Sequence, residues 1–133
     1  YIRNLSENLF ASYNITPGKI QLQTDIDKLN LDVDTVIPLG LIINELVSNS
    51  LKYAFEGMNR GTVFISLKEK DHSLQLQVRD NGKGFPEKET IHQKQSFGLQ
   101  LIAAFAQKLK AKLEMYNNNG AVVMMNIKKY KLA

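Results

Sequence analysis

Two segments of alternating apolar and polar residues, Gly61–Lys70 and Ser73–Asp80, are separated by only two residues, Asp71 and His72. Alternation with a period of two indicates a strand that is buried on one face and solvated on the other. Because a two-residue connection joins antiparallel neighbours, these segments predict a β-hairpin with a tight turn at Asp71 and His72. The chain must therefore form a sheet, and other segments must cover the apolar face of that sheet.

The remaining periodic segments surround this hairpin with helices and further strands. The predicted order is helix 2–12, strand 20–26, helix 34–55, strands 61–70 and 73–80, helix 96–110, and strands 111–116 and 121–129. Asp34 is the expected N-cap of the central helix, and Pro38 lies in its opening turns, where a missing backbone N–H matters least. This order predicts an α+β fold, a two-layer sandwich with about three helices on one face of a mixed, mostly antiparallel sheet of about five strands.

The composition excludes several classes of function. The 133 residues fit a single domain, 1–133, and the absence of cysteine excludes disulfides and thiolate chemistry. No apolar run approaches the roughly 18 residues that a membrane-spanning helix needs. The net charge of +4 is spread widely, without aromatic residues between the lysines, so we expect no nucleic-acid binding. Because the chain starts within a predicted helix and without methionine, we expect a cytoplasmic fragment of a longer protein, without direct membrane contact of its own.

Three polar side chains interrupt the apolar central helix at regular spacing. Glu45, Asn49 and Lys52 fall within an arc of about 60° when each residue turns the helix by about 100°. A carboxylate, a carboxamide oxygen and an ammonium in a row suit a hydrated divalent cation and the phosphates that it carries. The same spacing also describes the solvated stripe of an ordinary amphipathic helix, so the helix alone leaves both interpretations open.

A short glycine-rich loop follows the second strand of the hairpin. Asp80 ends this strand, and Gly82 and Gly84 follow it closely. An Asn-Gly turn of another hairpin is one interpretation, although no alternating strand returns over 85–95. The other is a ligand site, in which the glycines let the backbone approach a flat or anionic group and Asp80 accepts a hydrogen bond from an amino group. These residues alone do not separate the two.

The third helix begins with a pattern that can bind an anion. Ser96 is a suitable cap, and Gly98 in the first turn leaves the backbone N–H groups uncovered. The N-terminus of a helix attracts phosphate through these N–H groups and the helix dipole. An ordinary capped helix has the same sequence pattern, so this feature is equally open on its own.

Taken in this order, the three features resemble the GHKL ATPase superfamily, whose members share an N box, a DxGxG motif and a second glycine box. The segments 31–46 and 52–55, together with the short glycine box at 97–102, look like the second HisKA subfamily of histidine kinases. The resemblance implies the Bergerat fold, with ATP and Mg²⁺ as ligands. It also implies the ATP-binding catalytic domain of a sensor histidine kinase, which acts in two-component signal transduction.

The resemblance assigns roles by position. Asn49 corresponds to the magnesium ligand, and Glu45 to the position that activates water in the superfamily's hydrolases and that can reach the metal through water. Lys52 would contact the phosphates as the second catalytic residue, and Asp80 would accept the adenine amino group. The other residues implied in ATP binding are Tyr53, Gly82, Gly84, Phe85, Ser96, Phe97, Gly98 and Leu99.

Two positions depart from the family pattern. The lid expected at 86–97 is short and lacks a phenylalanine-rich box, so its closure over the nucleotide is in doubt. Gly120 and Ala121 stand where relatives often have Gly-Thr, whose hydroxyl supports adenine recognition through water. The loss of this hydroxyl is expected to weaken nucleotide affinity, whereas Asp80 should still select adenine.

The resemblance also implies partners. The acceptor histidine is expected in an upstream dimerisation and phosphoacceptor domain of the same protein, because His72 falls in a strand turn and His92 in the lid. A response regulator is the expected further partner. The full-length protein is expected to be a homodimer, and this fragment a monomer that binds ATP without autophosphorylation. The alternatives are a serine kinase of the anti-sigma type, another ATPase of the superfamily, and a nucleotide-binding module without catalysis.

Overall fold

The computed structural model describes residues 4, 7, 8, 11, 20–51, 60–84 and 97–128, with the backbone alone described at 97–99. These residues form a five-stranded sheet and two helices with defined bounds. In chain order the elements are β1 (Ile20–Ile26), α1 (Val33–Asn49), β2 (Gly61–Lys70), β3 (Ser73–Asp80), α2 (Phe97–Lys108), β4 (Ala111–Asn117) and β5 (Ala121–Ile127). Residues 4, 7, 8 and 11 have helical backbone, and the rest of the predicted first helix lies outside the described residues.

The predicted hairpin is confirmed residue by residue. β2 and β3 pair antiparallel from Val63 opposite Asp80 to Lys70 opposite Ser73. Asp71 and His72 make the turn, with φ angles of 51° and 62°. Positive φ at both central residues gives the turn a twist that matches the twist of the strands, which is why two residues suffice.

The sheet is mixed and mostly antiparallel, as predicted. The strand order is β1-β2-β3-β5-β4, in which only the β1–β2 pair is parallel. One face carries most of the buried apolar side chains of the strands and packs against both helices, which confirms the two-layer sandwich. The buried side chains of this core are Leu39, Ile42, Ile43, Leu46 and Val47 of α1, Val63, Ile65 and Leu67 of β2, Leu74, Leu76 and Val78 of β3, Ile102 and Ala106 of α2, Leu109, and Val123, Met125 and Ile127 of β5.

The start of α1 differs from the prediction. Asp32, rather than Asp34, is the N-cap, because its backbone is extended (φ −67°, ψ 153°) and its carbonyl accepts from the N–H groups of Thr35 and Val36, both at 2.9 Å. Asp34 lies in the first turn, where its negative charge favours the positive end of the helix dipole. Pro38 is consequently inside the helix, where its missing N–H leaves one intrahelical bond unmade.

Both helices end where the backbone departs from α-helical geometry. At the end of α1 the backbone N–H of Ser50 is shared between the carbonyls of Leu46 and Val47, and the chain widens into a π-helical turn at Ser50 and Leu51. The predicted continuation of this helix to residue 55 lies outside the described residues. α2 ends at Lys108, two residues before the predicted end, because Lys110 adopts the left-handed conformation with φ 49°.

None of the helices that the structure describes is both long and apolar enough to cross a membrane.

Candidate functional site

Asp80 is the centre of the described site. It ends β3 on the face that packs against the helices, and only 6% of its surface is exposed. Its Oδ1 accepts hydrogen bonds from the backbone N–H groups of Gly82 at 3.0 Å and Ala121 at 3.2 Å, and its Oδ2 accepts from the hydroxyl of Ser50 at 3.0 Å. A carboxylate this deeply buried is costly unless its oxygens are hydrogen-bonded. Three donors therefore fix its orientation.

The loop after β3 is fastened to β2. The Oδ1 of Asn81 accepts from the backbone N–H of Thr62 at 2.7 Å, and the N–H of Asn81 donates to the Thr62 carbonyl at 3.3 Å. Because β3 already pairs with β2 on one side and β5 on the other, no strand can return beside it. The interpretation of this loop as the turn of another hairpin is therefore excluded.

Two glycines let the loop after β3 meet the β4–β5 turn. A Cβ added at Gly120 (φ 135°) would lie 1.9 Å from the carbonyl oxygen of Asp80, so the two backbones touch with no room for a side chain. A Cβ added at Gly84 (φ 82°) would lie 2.8 Å from the Oδ1 of Asn117. The site is thus assembled where the end of β3 packs against the β4–β5 turn, and the role of Gly120 was not predicted from the sequence.

The last turns of α1 carry the polar side chains of the central helix. Glu45 and Asn49 are both half-buried and lie one turn apart, which places their side chains about 5–6 Å from each other at Cβ. Ser50, the next residue, reaches Asp80 through its hydroxyl. The structure therefore brings the end of α1 together with the end of β3, and it does so through a residue that sequence reasoning missed. The available signal was a hydroxyl that follows Leu46 by four residues and Val47 by three, both of which are apolar.

The other predicted residues are described partly or not at all. Lys52, Tyr53, Phe85 and Ser96 lie outside the described residues, as does the predicted lid except for Phe97. Phe97, Gly98 and Leu99 form the first turn of α2, where a helix was predicted to begin, and their side chains are not described. Their contacts with a nucleotide stay predictions, as do the roles of Glu45, Asn49, Asp80, Gly82 and Gly84.

The donor set for a metal is small. Within 20–51, 60–84 and 97–128, no group of three or more His, Asp or Glu is arranged to hold a metal ion. The carboxamide of Asn49 and the carboxylate of Glu45 are oxygen donors on one helix face, which suits a magnesium ion that keeps several waters and is held mainly by phosphates. A pre-formed cage that holds a metal without a phosphate ligand would need more ligands than these.

Comparison with known proteins identifies one ATPase family and two kinds of relative. The family described as histidine kinase-, DNA gyrase B- and HSP90-like ATPase matches residues 34–131. Blue-light-activated histidine kinase 2 of Erythrobacter litoralis is 27% identical over 111 residues, which are 83% of this chain and 32% of that protein. The anti-sigma F factor of Bacillus licheniformis is 28% identical over 82 residues, which are 62% of this chain and 56% of that protein. The chain thus spans about a third of the length of the histidine kinase and about half of the length of the anti-sigma F factor.

Solved structures show the same fold. The histidine kinase domain of a blue-light-activated histidine kinase from Erythrobacter litoralis superposes with a TM-score of 0.88 at 23% identity, over 97% of this chain and 63% of that one. At this level of identity the likeness establishes the fold and leaves the chemistry to be argued from the residues.

Proposed function

Because the chain belongs to the family of histidine kinase-, DNA gyrase B- and HSP90-like ATPases, we propose that it binds Mg-ATP and donates the γ-phosphate to a histidine of a separate phosphoacceptor domain. The observation that carries the proposal is the buried carboxylate of Asp80, held by two backbone N–H groups and one hydroxyl beside the end of α1. Such a carboxylate is a fixed acceptor in a mostly apolar setting, which is what recognition of the amino group of adenine requires.

The carboxylate also favours adenine over guanine. Asp80 offers only acceptor atoms to a ligand, and the 6-amino group of adenine donates where the 6-oxo group of guanine accepts. A buried acceptor that faces another acceptor leaves both unsatisfied, and this mismatch discriminates strongly between bases. We therefore expect ATP to bind more tightly than GTP.

The phosphates and the metal are assigned to the end of α1 and the start of α2. Asn49 would bind Mg²⁺ directly, with Glu45 contacting it through water, and the metal would neutralise the charge of the phosphates. Lys52 and the N–H groups at the start of α2 would add positive charge around the same phosphates. Glu45 would orient the incoming imidazole, whose neutral nitrogen attacks the phosphorus and needs no base as strong as the one water needs.

The partners belong to the proposal as well. We propose that the phosphoacceptor domain lies upstream in the same protein, and that a response regulator receives the phosphate from it. On this proposal the full-length protein is a homodimer and this chain alone a monomer, working in the cytoplasm in two-component signalling.

The substitution Asp80→Asn tests the adenine contact. The amide keeps one oxygen for the N–H groups of Gly82 and Ala121, but it places an N–H₂ donor where the adenine amino group would donate. We expect Mg-ATP affinity to fall about tenfold or more by titration calorimetry, since a charge-assisted hydrogen bond is replaced by two facing donors. Asp71→Asn makes the same chemical change in an exposed turn and should bind like the wild type. Equal affinities for wild type and Asp80→Asn, or no binding by either, would favour a module without nucleotide chemistry.

A serine kinase of the anti-sigma type is the second candidate. It is supported by the anti-sigma F factor of Bacillus licheniformis, which matches at an identity similar to that of the histidine kinase. The ATP site would be the same in both cases, because only the acceptor of the phosphate differs. The two candidates therefore separate on the chemistry of the phosphorylated product and not on nucleotide binding.

A further inference from the structure

Ser50 is a half-buried polar residue on the side of α1 that packs in the core. It follows Leu46 by four residues and Val47 by three, and both of these side chains pack in the core. Residues at these spacings lie on one side of a helix, so the pattern of α1 calls for an apolar side chain at position 50. A hydroxyl placed there is unfavourable unless it forms a hydrogen bond.

The hydroxyl of Ser50 finds its partner across the site. Its Oγ donates to the Oδ2 of Asp80 at 3.0 Å, between residues 30 positions apart in the sequence. Ser50 itself keeps α-helical backbone angles (φ −60°, ψ −45°), so the regular turn of α1 directs its side chain toward Asp80. A π-helical turn begins at the same residue, and such turns occur frequently at functional sites.

The two oxygens of Asp80 therefore have different surroundings. Oδ1 already accepts from the N–H groups of Gly82 and Ala121, which use both of its lone pairs. Oδ2 accepts from the hydroxyl of Ser50, and a carboxylate oxygen can accept a second hydrogen bond, which we assign to the ligand. Since a hydroxyl that donates its proton keeps its own lone pairs, Ser50 adds a second acceptor beside the first.

From this arrangement we propose that Ser50 is a positioning and specificity-determining residue for the base of the nucleotide. It holds Oδ2 toward the ligand and, by donating to Asp80, presents its own oxygen as an acceptor. Two adjacent acceptor oxygens suit an amino group, which only donates, and oppose the 6-oxo group of a purine, which only accepts. Ala121 contacts Asp80 through its backbone N–H, whereas Ser50 contacts it through a side-chain hydroxyl that can also accept. The inference rests on the proposed function, in which the ligand is ATP.

The substitution Ser50→Ala tests the proposal, with Ser50→Thr as the variant that keeps the hydroxyl. Titrations of Mg-ATP and Mg-GTP into each protein give two affinities, and thermal melting without nucleotide reports on the fold. We expect Ser50→Ala to bind ATP about three- to tenfold more weakly, in line with the loss of one hydrogen bond. Its affinity for GTP should change less, so the ratio of the two affinities falls. Ser50→Thr should restore the ratio.

The outcomes separate this inference from the proposed function. If the wild type binds no ATP, the proposed function fails and the role of Ser50 fails with it. If the wild type binds ATP and Ser50→Ala keeps both its affinity and its preference for ATP over GTP, the inference is overturned and the proposed function stands. An equal loss of affinity for both nucleotides, together with a lower melting temperature, would show that Ser50 acts only on the fold, which also overturns the inference.

Discussion

Asp80 is held in place by residues from three separate parts of the chain. Ser50 comes from the end of α1, Gly82 from the loop after β3, and Ala121 from the start of β5. Gly120 makes the last of these contacts possible, because its missing side chain lets the β4–β5 turn touch the carbonyl of Asp80. The position of this one carboxylate therefore depends on close backbone packing as well as on hydrogen bonds.

The substitution Gly120→Ala should be strongly destabilising. The added Cβ would lie 1.9 Å from the carbonyl oxygen of Asp80. The alanine would also have to adopt a φ of 135°, which residues with a side chain rarely do. Overpacking and backbone strain together should cost about 2–4 kcal/mol and lower the melting temperature by roughly 10 °C. Gly84→Ala is the matched control, because Gly84 also has a positive φ (82°) but the atoms nearest to its added Cβ belong to the side chain of Asn117, which can move. It should cost about 1 kcal/mol, and equal losses in the two variants would contradict this account.

Only part of the site was accessible from the sequence. Asp80, Gly82 and Gly84 were selected because a carboxylate and glycines follow a predicted strand, which is a local pattern. Ser50 and Gly120 were missed as site residues because their significance lies in contacts with Asp80, which is 30 residues from one and 40 from the other. A one-dimensional pattern shows that a hydroxyl lies on an apolar helix face, but not which carboxylate it meets.

At the scale of elements, a cluster of charged side chains joins the end of β1 to β2, the single parallel pair of the sheet. Directly after β1, the backbone N–H of Asp27 donates to the Leu67 carbonyl at 2.9 Å, and the Oδ2 of Asp27 accepts from the N–H of Glu69 at 2.9 Å. Lys68 donates to Asp27 at 3.2 Å and also to Asp25. The N–H of Glu69 and the ammonium of Lys68 both lower the pKa of Asp27 below its ordinary value of 3.8.

This lowered pKa predicts how the cluster responds to acid. A carboxyl whose pKa is lower in the folded state stabilises the fold above its unfolded pKa, and the contribution is lost as the pH falls through the folded pKa. Asp27→Asn keeps an oxygen for Glu69 but loses the charge that attracts Lys68. We expect it to melt slightly below the wild type at neutral pH and level with it well below pH 3.8. Asp71→Asn should show no such pH dependence, and a constant difference for Asp27→Asn would exclude ionisation as the cause.

Elements whose apolar residues recur with a clear period were predicted correctly, whereas the residues at which the helices begin and end were predicted less well. The β2–β3 hairpin matched because alternation and a two-residue turn specify both its strands and its register. The N-cap of α1 was placed at Asp34 rather than Asp32 because two aspartates two residues apart are equally good candidates. The backbone angle of Asp32 decides between them, and the sequence does not contain it. The end of α2 shifted for a similar reason, since Lys110 gives no sign of its left-handed conformation.

At the scale of the whole molecule, the layers follow from the sequence but the strand order does not. β5 lies inside the sheet and β4 at its edge. β5 has an almost unbroken apolar sequence, and none of its residues is fully exposed, whereas β4 alternates and is largely exposed on one face. The site lies at the end of β3, the central strand, where α1 and the β4–β5 turn both reach it. This end of the sheet is therefore the meeting point of the elements proposed to bind the nucleotide.

In the proposed reaction the phosphate passes to a histidine of a second domain, the proposed phosphoacceptor domain. We expect this chain with Mg-ATP to phosphorylate the histidine of its upstream domain, added as a separate polypeptide, and not to label itself. The product should lose its phosphate in acid, because a phosphorus–nitrogen bond is hydrolysed there and a phosphoserine ester is not. An acid-stable phosphate would identify the serine kinase instead.

The substitution Glu45→Gln tests the group proposed to orient the imidazole. It should slow the transfer while leaving ATP affinity near that of the wild type, because it does not alter the base pocket around Asp80. If titration calorimetry shows that Glu45→Gln loses ATP affinity by as large a factor as it loses transfer rate, Glu45 does not have the proposed role.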